Sequence, residues 1–212
     1  MTAEALGTDD GGQQTRAAAF GLLLETGGAV SAAQIAAATK AAPLAAKADL
    51  RRLDAAGRIR LSAEGKVLGS AGLSAAPAAH ELWLGSRRFW TWCAYDVVGI
   101  VGTLGADAHS LSRSPATGAP IRLQFAAGQP PATPVVVFFP DDRGATRTID
   151  DWCSNANFFE TREAALSWSA QRRIDGEVIE FYEARGRGLA NWGPLLSANR
   201  GIESGQDRGD NG

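Results

Sequence analysis

The sequence predicts an α+β fold, and three observations carry it. Helical patterns gather at the start of the chain, short alternating or β-branched runs separated by turns fill the middle, and helical patterns return near the end. Strands grouped apart from helices argue against a doubly wound sheet, in which the two alternate one for one. The organisation reads as a small winged-helix-like N-terminal domain over 15–72, followed by a larger domain over 80–200 with a mixed or antiparallel sheet and helices. Gly- and Asp-rich ends over 1–14 and 201–212 read as disordered tails.

Within the first domain, Ala17 to Glu25 is an apolar helical run stopped by Gly27-Gly28. Ser31 is a natural N-cap for a helix over Ala32 to Thr39. Pro43 opens a third helix, in which Leu44, Leu50 and Leu53 recur at helical spacing until Gly57. Arg58 to Leu61 and Lys66 to Leu68 flank Ala63-Glu64-Gly65 as a hairpin wing. The small-residue stretch Ala71 to Ala79, with one proline, reads as a linker.

Beyond it, Glu81 to Leu84 reads as a strand and Phe89 to about Leu104 as an aromatic-rich helix. Ile121, Leu123 and Phe125 alternate with Arg122 and Gln124, the pattern of a half-buried strand. Val135 to Phe139 is a continuous buried-strand run ended by Pro140. Phe158-Phe159 closes a further strand, Thr161 caps a helix over Arg162 to Arg173, Glu177 to Phe181 gives a last strand, and Gly188 to Leu196 a short terminal helix.

Composition removes several function classes. With 212 residues, 45% hydrophobic and 21% charged, the chain is globular in character. A formal net charge of −2 is not that of a protein that binds nucleic acid chiefly by neutralising phosphates. Residues 31–75 hold seven basic and three acidic side chains. Lys47, Arg51, Arg52, Arg58, Arg60 and Lys66 therefore form a modest basic face, better read as the solvated side of an accessory domain than as a DNA interface. No apolar run reaches the roughly 18 residues of a membrane span, and the N-terminus lacks a secretory pattern, so the expectation is a cytoplasmic protein without membrane partners.

The scarce reactive residues are Cys93, Cys153, His80 and His109. Two thiols make no disulfide framework, and the four residues lack zinc-finger spacing. A Cys–His nucleophile pair through His109 stays open. Two segments stand out. In Trp92-Cys93-Ala94-Tyr95-Asp96, helical geometry would put Cys93 and Asp96 on one face, a thiol beside a carboxylate able to share a proton. In Trp152-Cys153-Ser154-Asn155-Ala156-Asn157-Phe158-Phe159, a tryptophan again precedes a cysteine, here in a turn leading to a strand.

Taken together these segments resemble the alkylmercury lyase family. Trp92 to Asp96 matches the family's first cysteine motif, and Cys153 with Phe158-Phe159 the second. Ala116-Thr117-Gly118-Ala119-Pro120 matches a family turn, and Glu183 to Leu196 resembles its C-terminal segment. The winged-helix-like unit also suits the family, so the likeness runs from about 15 to 197. Ser114 stands where members commonly carry a third, structural cysteine, and Ser154 where some have a second cysteine.

The resemblance implies protonolysis of a carbon–mercury bond, RHg⁺ and a proton giving RH and Hg(II). Cys93 and Cys153 would hold the soft mercury as thiolates, Asp96 would join them and carry the proton to carbon, and Trp92, Trp152 and Phe158 would line a pocket for the organic group. No cofactor is implied. Mercury is substrate and product, external thiols support turnover, and Hg(II) passes to small thiols or a mercuric reductase. Two other readings remain: a non-catalytic thiol protein that binds or senses a soft metal and acts on DNA through the winged helix, and a member repurposed to another substrate. The carboxylate separates the first from the lyase, because a sensor needs no proton donor.

Overall fold

The computed structural model describes residues 10–141 and 148–206. Three helices open it: α1 (Asp10–Thr26), α2 (Ala32–Thr39) and α3 (Pro43–Ala55). Ser31 caps α2 through a reciprocal box, its Oγ accepting the Gln34 N–H at 3.2 Å while Gln34 Oε1 accepts the Ser31 N–H at 2.9 Å. Pro43 sits in the first turn of α3, where its missing N–H costs nothing. β1 (Ile59–Leu61) and β2 (Val67–Ser70) follow as an antiparallel hairpin.

The hairpin continues into a larger sheet. β3 (Leu73–Ser74), β4 (His80–Leu84), β5 (Arg87–Thr91), β6 (Ala108–Arg113) and β7 (Pro120–Phe125) extend it to seven strands, ordered β1-β2-β3-β5-β4-β6-β7 and antiparallel throughout. This corrects the linker expected over 71–79. Leu73 and Ser74 pair with β2 on one side and β5 on the other, and both are buried. Small residues there allow close packing rather than flexibility. A second, three-stranded antiparallel sheet orders β8 (Val136–Pro140) between β10 (Gly176–Ile179) and β9 (Phe158–Phe159).

Between the sheets lies α4 (Ala94–Leu104), buried from Ala94 to Gly102 and touching β4, β5 and β8. The expected helix over Phe89 to Leu104 is thus half strand. Phe89, Trp90 and Thr91 are good strand formers, and pairing with β3 and β4 decides their conformation. α5 (Arg162–Arg172) carries the expected Thr161 cap, whose Oγ1 accepts the Ala164 N–H at 3.2 Å.

The terminal helix α6 (Phe181–Gln206) is much longer than the stretch from Gly188 to Leu196, and it takes in Phe181, which was expected in a strand. Glycines and Pro194 hide it from propensity, but Gly188 has a packing reason. A Cβ there would stand 2.5 Å from the Gly99 Cα, so α4 and α6 cross nearly backbone to backbone. α1 likewise starts within the expected tail, at Asp10, and packs on α6 and β2 with Ala17, Ala18, Ala19 and Phe20 fully buried. The rest of both expected tails, 1–9 and 207–212, lies outside the described residues. No described helix is long and apolar enough to cross a membrane.

Candidate active site

The chain reverses from β5 into α4 at Trp92-Cys93, and that reversal builds half of the site. Cys93 is the N-cap of α4, with extended backbone (φ −145°, ψ 169°), and Asp96 is the third residue of the helix. The Asp96 Oδ2 accepts the Cys93 N–H at 2.9 Å. Thiol and carboxylate therefore meet through cap geometry, not along one helical face as the spacing suggested. A carboxylate in the first turn is also favoured by the helix dipole. Thr91 Oγ1 donates to the Cys93 carbonyl at 3.0 Å, and the Trp92 N–H donates to the Gly72 carbonyl at 3.1 Å.

The other half is a single π-helical turn, Thr148–Cys153, a conformation that recurs at functional sites. Its exit is held by the Asn155 N–H on the Trp152 carbonyl (3.0 Å) and the Ala156 N–H on the Cys153 carbonyl (3.2 Å). Trp152 is anchored by its Nε1–H on the Pro140 carbonyl at 2.9 Å. One bond joins the halves: the Ala94 N–H, left without an intrahelical partner at the start of α4, donates to the Ala156 carbonyl at 3.0 Å.

The result is a buried cluster in which Cys93 Sγ, Cys153 Sγ and an Asp96 oxygen lie within 4.8 Å of one another. Both cysteines are free thiols. Burial, the hydrogen-bonded Cys153 and the nearby Asp96 push the Cys93 thiol well above its ordinary pKa. For Cys153 the hydrogen bond with Cys93 pulls downward, but burial and the charges of Asp96 and Asp150 outweigh it. Burial lifts Asp96 to about 6, against the downward pull of its hydrogen bonds and of Arg16. The site thus rests with neutral thiols beside a carboxyl that gains and loses a proton near neutrality.

A narrow cavity of about 20 Å³, room for a water molecule or one heavy ion, opens beside this cluster. Trp92, Trp152, Cys153 and Asp96 line it, joined by Arg16, Arg58, the Ala71-Gly72 turn and Trp192. Phe158, expected at the pocket, does not line it. Strand pairing with Val137 turns Phe158 into the core, edge-on to His80 and Phe181, each with ring centroids 5.6 Å away. Neither histidine joins the site. His80 shares a 2.7 Å hydrogen bond with Ser112, and the exposed His109 stacks on Trp83.

Sequence reasoning missed Arg16, Gly72, Tyr95 and Trp192. Tyr95 is wholly buried, its hydroxyl accepting from Asn191 Nδ2 at 2.6 Å and its ring edge-on to Phe139, Trp152 and Trp192. Trp192 Nε1 donates to the Ala71 carbonyl at 2.8 Å, which ties α6 to the cavity wall. Two of them carried a signal: Tyr95 lies within the Trp92 to Asp96 motif, and Trp192 is an indole in a helix otherwise rich in small residues. At Ser114, where the family commonly carries a third cysteine, the backbone closes a turn: its N–H donates to the Ala119 carbonyl (2.9 Å) and its carbonyl accepts from the Gly118 N–H (2.8 Å).

The chain is 34% identical over 115 residues to an alkylmercury lyase of Streptomyces lividans, covering 52% of each protein. It is 30% identical over 112 residues to an alkylmercury lyase of Pseudomonas putida, covering 50% of this chain and 51% of that one. The matched region spans about half the length of these curated relatives. The crystal structure of the mercury-bound form of MerB2 shares the fold, with a TM-score of 0.79 at 21% identity over 93% of this chain and 95% of that one. The sequence pattern that defines the alkylmercury lyases matches residues 73–190, a stretch that includes both cysteine motifs and Asp96, and on that match the chain belongs to the alkylmercury lyase family.

Proposed function

We propose that this protein is an organomercurial lyase that cleaves carbon–mercury bonds by protonolysis. The observation that carries the reading is the convergence of two free thiols and one carboxylate within 4.8 Å at a buried cavity. Thiolates are the preferred ligands of a soft metal ion, and two of them hold it where one merely tethers it.

The steps follow from the surroundings of each group. Cys153 lines the cavity and takes RHg⁺ first, releasing its proton to solvent. Cys93, buried behind it, bonds to mercury next and gives its proton to Asp96, whose pKa of about 6 suits both acceptance and release near neutrality. The second thiolate adds electron density to mercury and makes the attached carbon more basic. Asp96 then protonates that carbon. The electron pair of the carbon–mercury bond becomes the new C–H bond, RH departs, and Hg(II) stays on two thiolates and a carboxylate. Trp92, Trp152 and Trp192 give the organic group an apolar wall.

The chemistry needs no resident cofactor, only external thiols that draw Hg(II) off the site and pass it on, to a mercuric reductase where one is present. It is chemistry for the cytoplasm, where thiols stay reduced. The three helices and hairpin over 15–72 are a winged-helix-like cover for the catalytic domain over 80–200, not a nucleic-acid reader. Arg52 pairs with Asp49 at 3.1 Å and Arg60 with Asp150 at 3.4 Å, which takes two of the basic face's charges into ion pairs within the protein. The test is direct. Purified protein incubated with methyl- or phenylmercury and excess small thiol should release methane or benzene; tight binding without hydrocarbon would mark a metal-holding protein instead.

A further inference from the structure

The cavity at the thiol–carboxylate cluster holds about 20 Å³, little more than one heavy ion. A thiol that draws Hg(II) off the site must therefore reach in with its sulfur while its body stays outside. A cleft of about 410 Å³ lies against that cavity. Trp92 belongs to both walls, and Ser154, the neighbour of Cys153, lines the cleft together with Arg60, Ser74 and Asp150. The hydroxyls of Ser74 and Ser154 donate back to the Ala76 and Asp150 carbonyls, each at 2.7 Å. Arg60 from β1 and Asp150 from the π-helical turn are the charged side chains of this wall. They meet at 3.4 Å through Arg60 Nη2, and both are about half exposed. That contact uses one of the five guanidinium N–H donors, and a carboxylate has acceptor positions for more than one partner. A cation and an anion held side by side in reach of water match a small zwitterion.

We propose that this cleft docks an amino-acid thiol, of which cysteine is the simplest, with its carboxylate on Arg60 and its ammonium on Asp150. So held, the thiol's sulfur enters past Trp92 to mercury. The inference rests on the lyase reading above, in which the product is Hg(II) on Cys93, Cys153 and Asp96. Each incoming thiol forms one sulfur–mercury bond and breaks one, and its proton ends on the cysteine that lets go. Two such exchanges carry Hg(II) away and return both cysteines as thiols, with no change of oxidation state.

The test loads the full chain with inorganic Hg(II) and follows its release at pH 7 by four thiols. These are cysteine, N-acetylcysteine (no ammonium), cysteamine (no carboxylate) and mercaptoethanol (neither). Arg60→Gln should slow release by cysteine and N-acetylcysteine about fivefold, the weight of one half-exposed charged contact, and leave the other two at wild-type rates. Asp150→Asn should slow cysteine and cysteamine relative to N-acetylcysteine and mercaptoethanol. The Asp150 charge also raises the Cys153 thiol, but an effect through Cys153 falls on all four thiols alike and drops out of that ratio. Unchanged rates, or uniform changes across the four thiols, would overturn the proposal. So would loss of carboxylate discrimination in Arg58→Gln instead of Arg60→Gln, since Arg58 stands on the wall of the inner cavity. Loading with Hg(II) needs no carbon–mercury cleavage, so the lyase reading is judged separately, by hydrocarbon from methylmercury. A protein that makes hydrocarbon without discriminating among the thiols keeps that reading and loses the dock.

Discussion

Gly72 presses its Cα against the carboxyl group of Asp96. A Cβ at position 72 would overlap the carboxylate and stand 2.7 Å from the Asp96 Cβ, and the backbone there has φ +87°. Glycine is required twice over, for a conformation other residues resist and for space that the Asp96 carboxyl occupies. Gly72→Ala should therefore displace Asp96 from the Cys93 N–H. The expected result is a fall in hydrocarbon release of about a hundredfold, the range associated with a lost general acid, together with a stability loss of about 1–3 kcal/mol from overpacking. Activity and urea denaturation on the same variant check both.

Asp96 itself should cost the fold stability. Its pKa is about 6 in the folded chain against an ordinary 3.8. Between those values the folded state keeps a proton that the unfolded chain releases. Stability is thus highest below pH 4 for this group and declines as pH rises to 6, by about 3 kcal/mol in all. Asp96→Asn keeps an acceptor for the Cys93 N–H but never ionises. It should match wild type near pH 4 and exceed it by up to about 3 kcal/mol above pH 6. Unfolding curves across that range would show no divergence if the carboxyl were not held protonated by burial.

His80 bends the same profile the other way. Burial lowers it from 6.5 to about 4, and its ring meets Ser112 and Phe158 in the core. As pH falls from 6.5 toward 4, the unfolded chain takes a proton that the folded one refuses, so stability drops by about 3 kcal/mol. The two groups largely cancel over this window. His80→Gln, which can still bond Ser112, should lose some stability at pH 7 through lost packing yet gain stability on acidification from pH 6.5 toward 5, where the Asp96 slope then runs unopposed by a histidine; further down, carboxyls held low, such as Glu160 and Glu177, pull the profile back. A profile that still falls between pH 6.5 and 5 would place the acid-sensitive group elsewhere.

How much of this was legible from sequence depends on where each signal is local. The α2 and α5 caps, the α3 proline start and the alternation in β7 rest on neighbours a few residues apart, and Ser31, Thr161, Pro43 and Ile121 to Phe125 lie as read. The element from Phe89 to Leu104 was misread because strand pairing with Leu73-Ser74 and with β4 decides its first half. Cys93, Asp96 and Cys153 stood out as rare chemistry in a family-like order. Their convergence hangs on the Ala94–Ala156 bond, across 62 residues, which no local pattern announces. Arg16 gave no signal at all, because a lone arginine in an alanine-rich helix looks like any solvated charge until the tertiary fold buries it.

The two thiols should prove unequal. Cys153 lines the cavity, whereas Cys93 is fully buried behind it and more resistant to ionisation. Cys93→Ser should still capture one organomercurial through Cys153, seen as a single adduct by native mass spectrometry, but mercury on one sulfur leaves carbon too weakly basic to take the Asp96 proton. Cys153→Ser removes the first point of capture, so adduct formation itself should slow. Hydrocarbon release should all but vanish in both. Asp96→Asn provides the contrast: two thiols bind tightly, and with a negative charge gone beside it Cys93 ionises more readily. That variant should accumulate bound RHg⁺ while cleaving it about a hundred- to ten-thousandfold more slowly. Turnover by Asp96→Asn at the wild-type rate would show that another group delivers the proton. Equal capture rates in the two serine variants would show that either thiol receives mercury first.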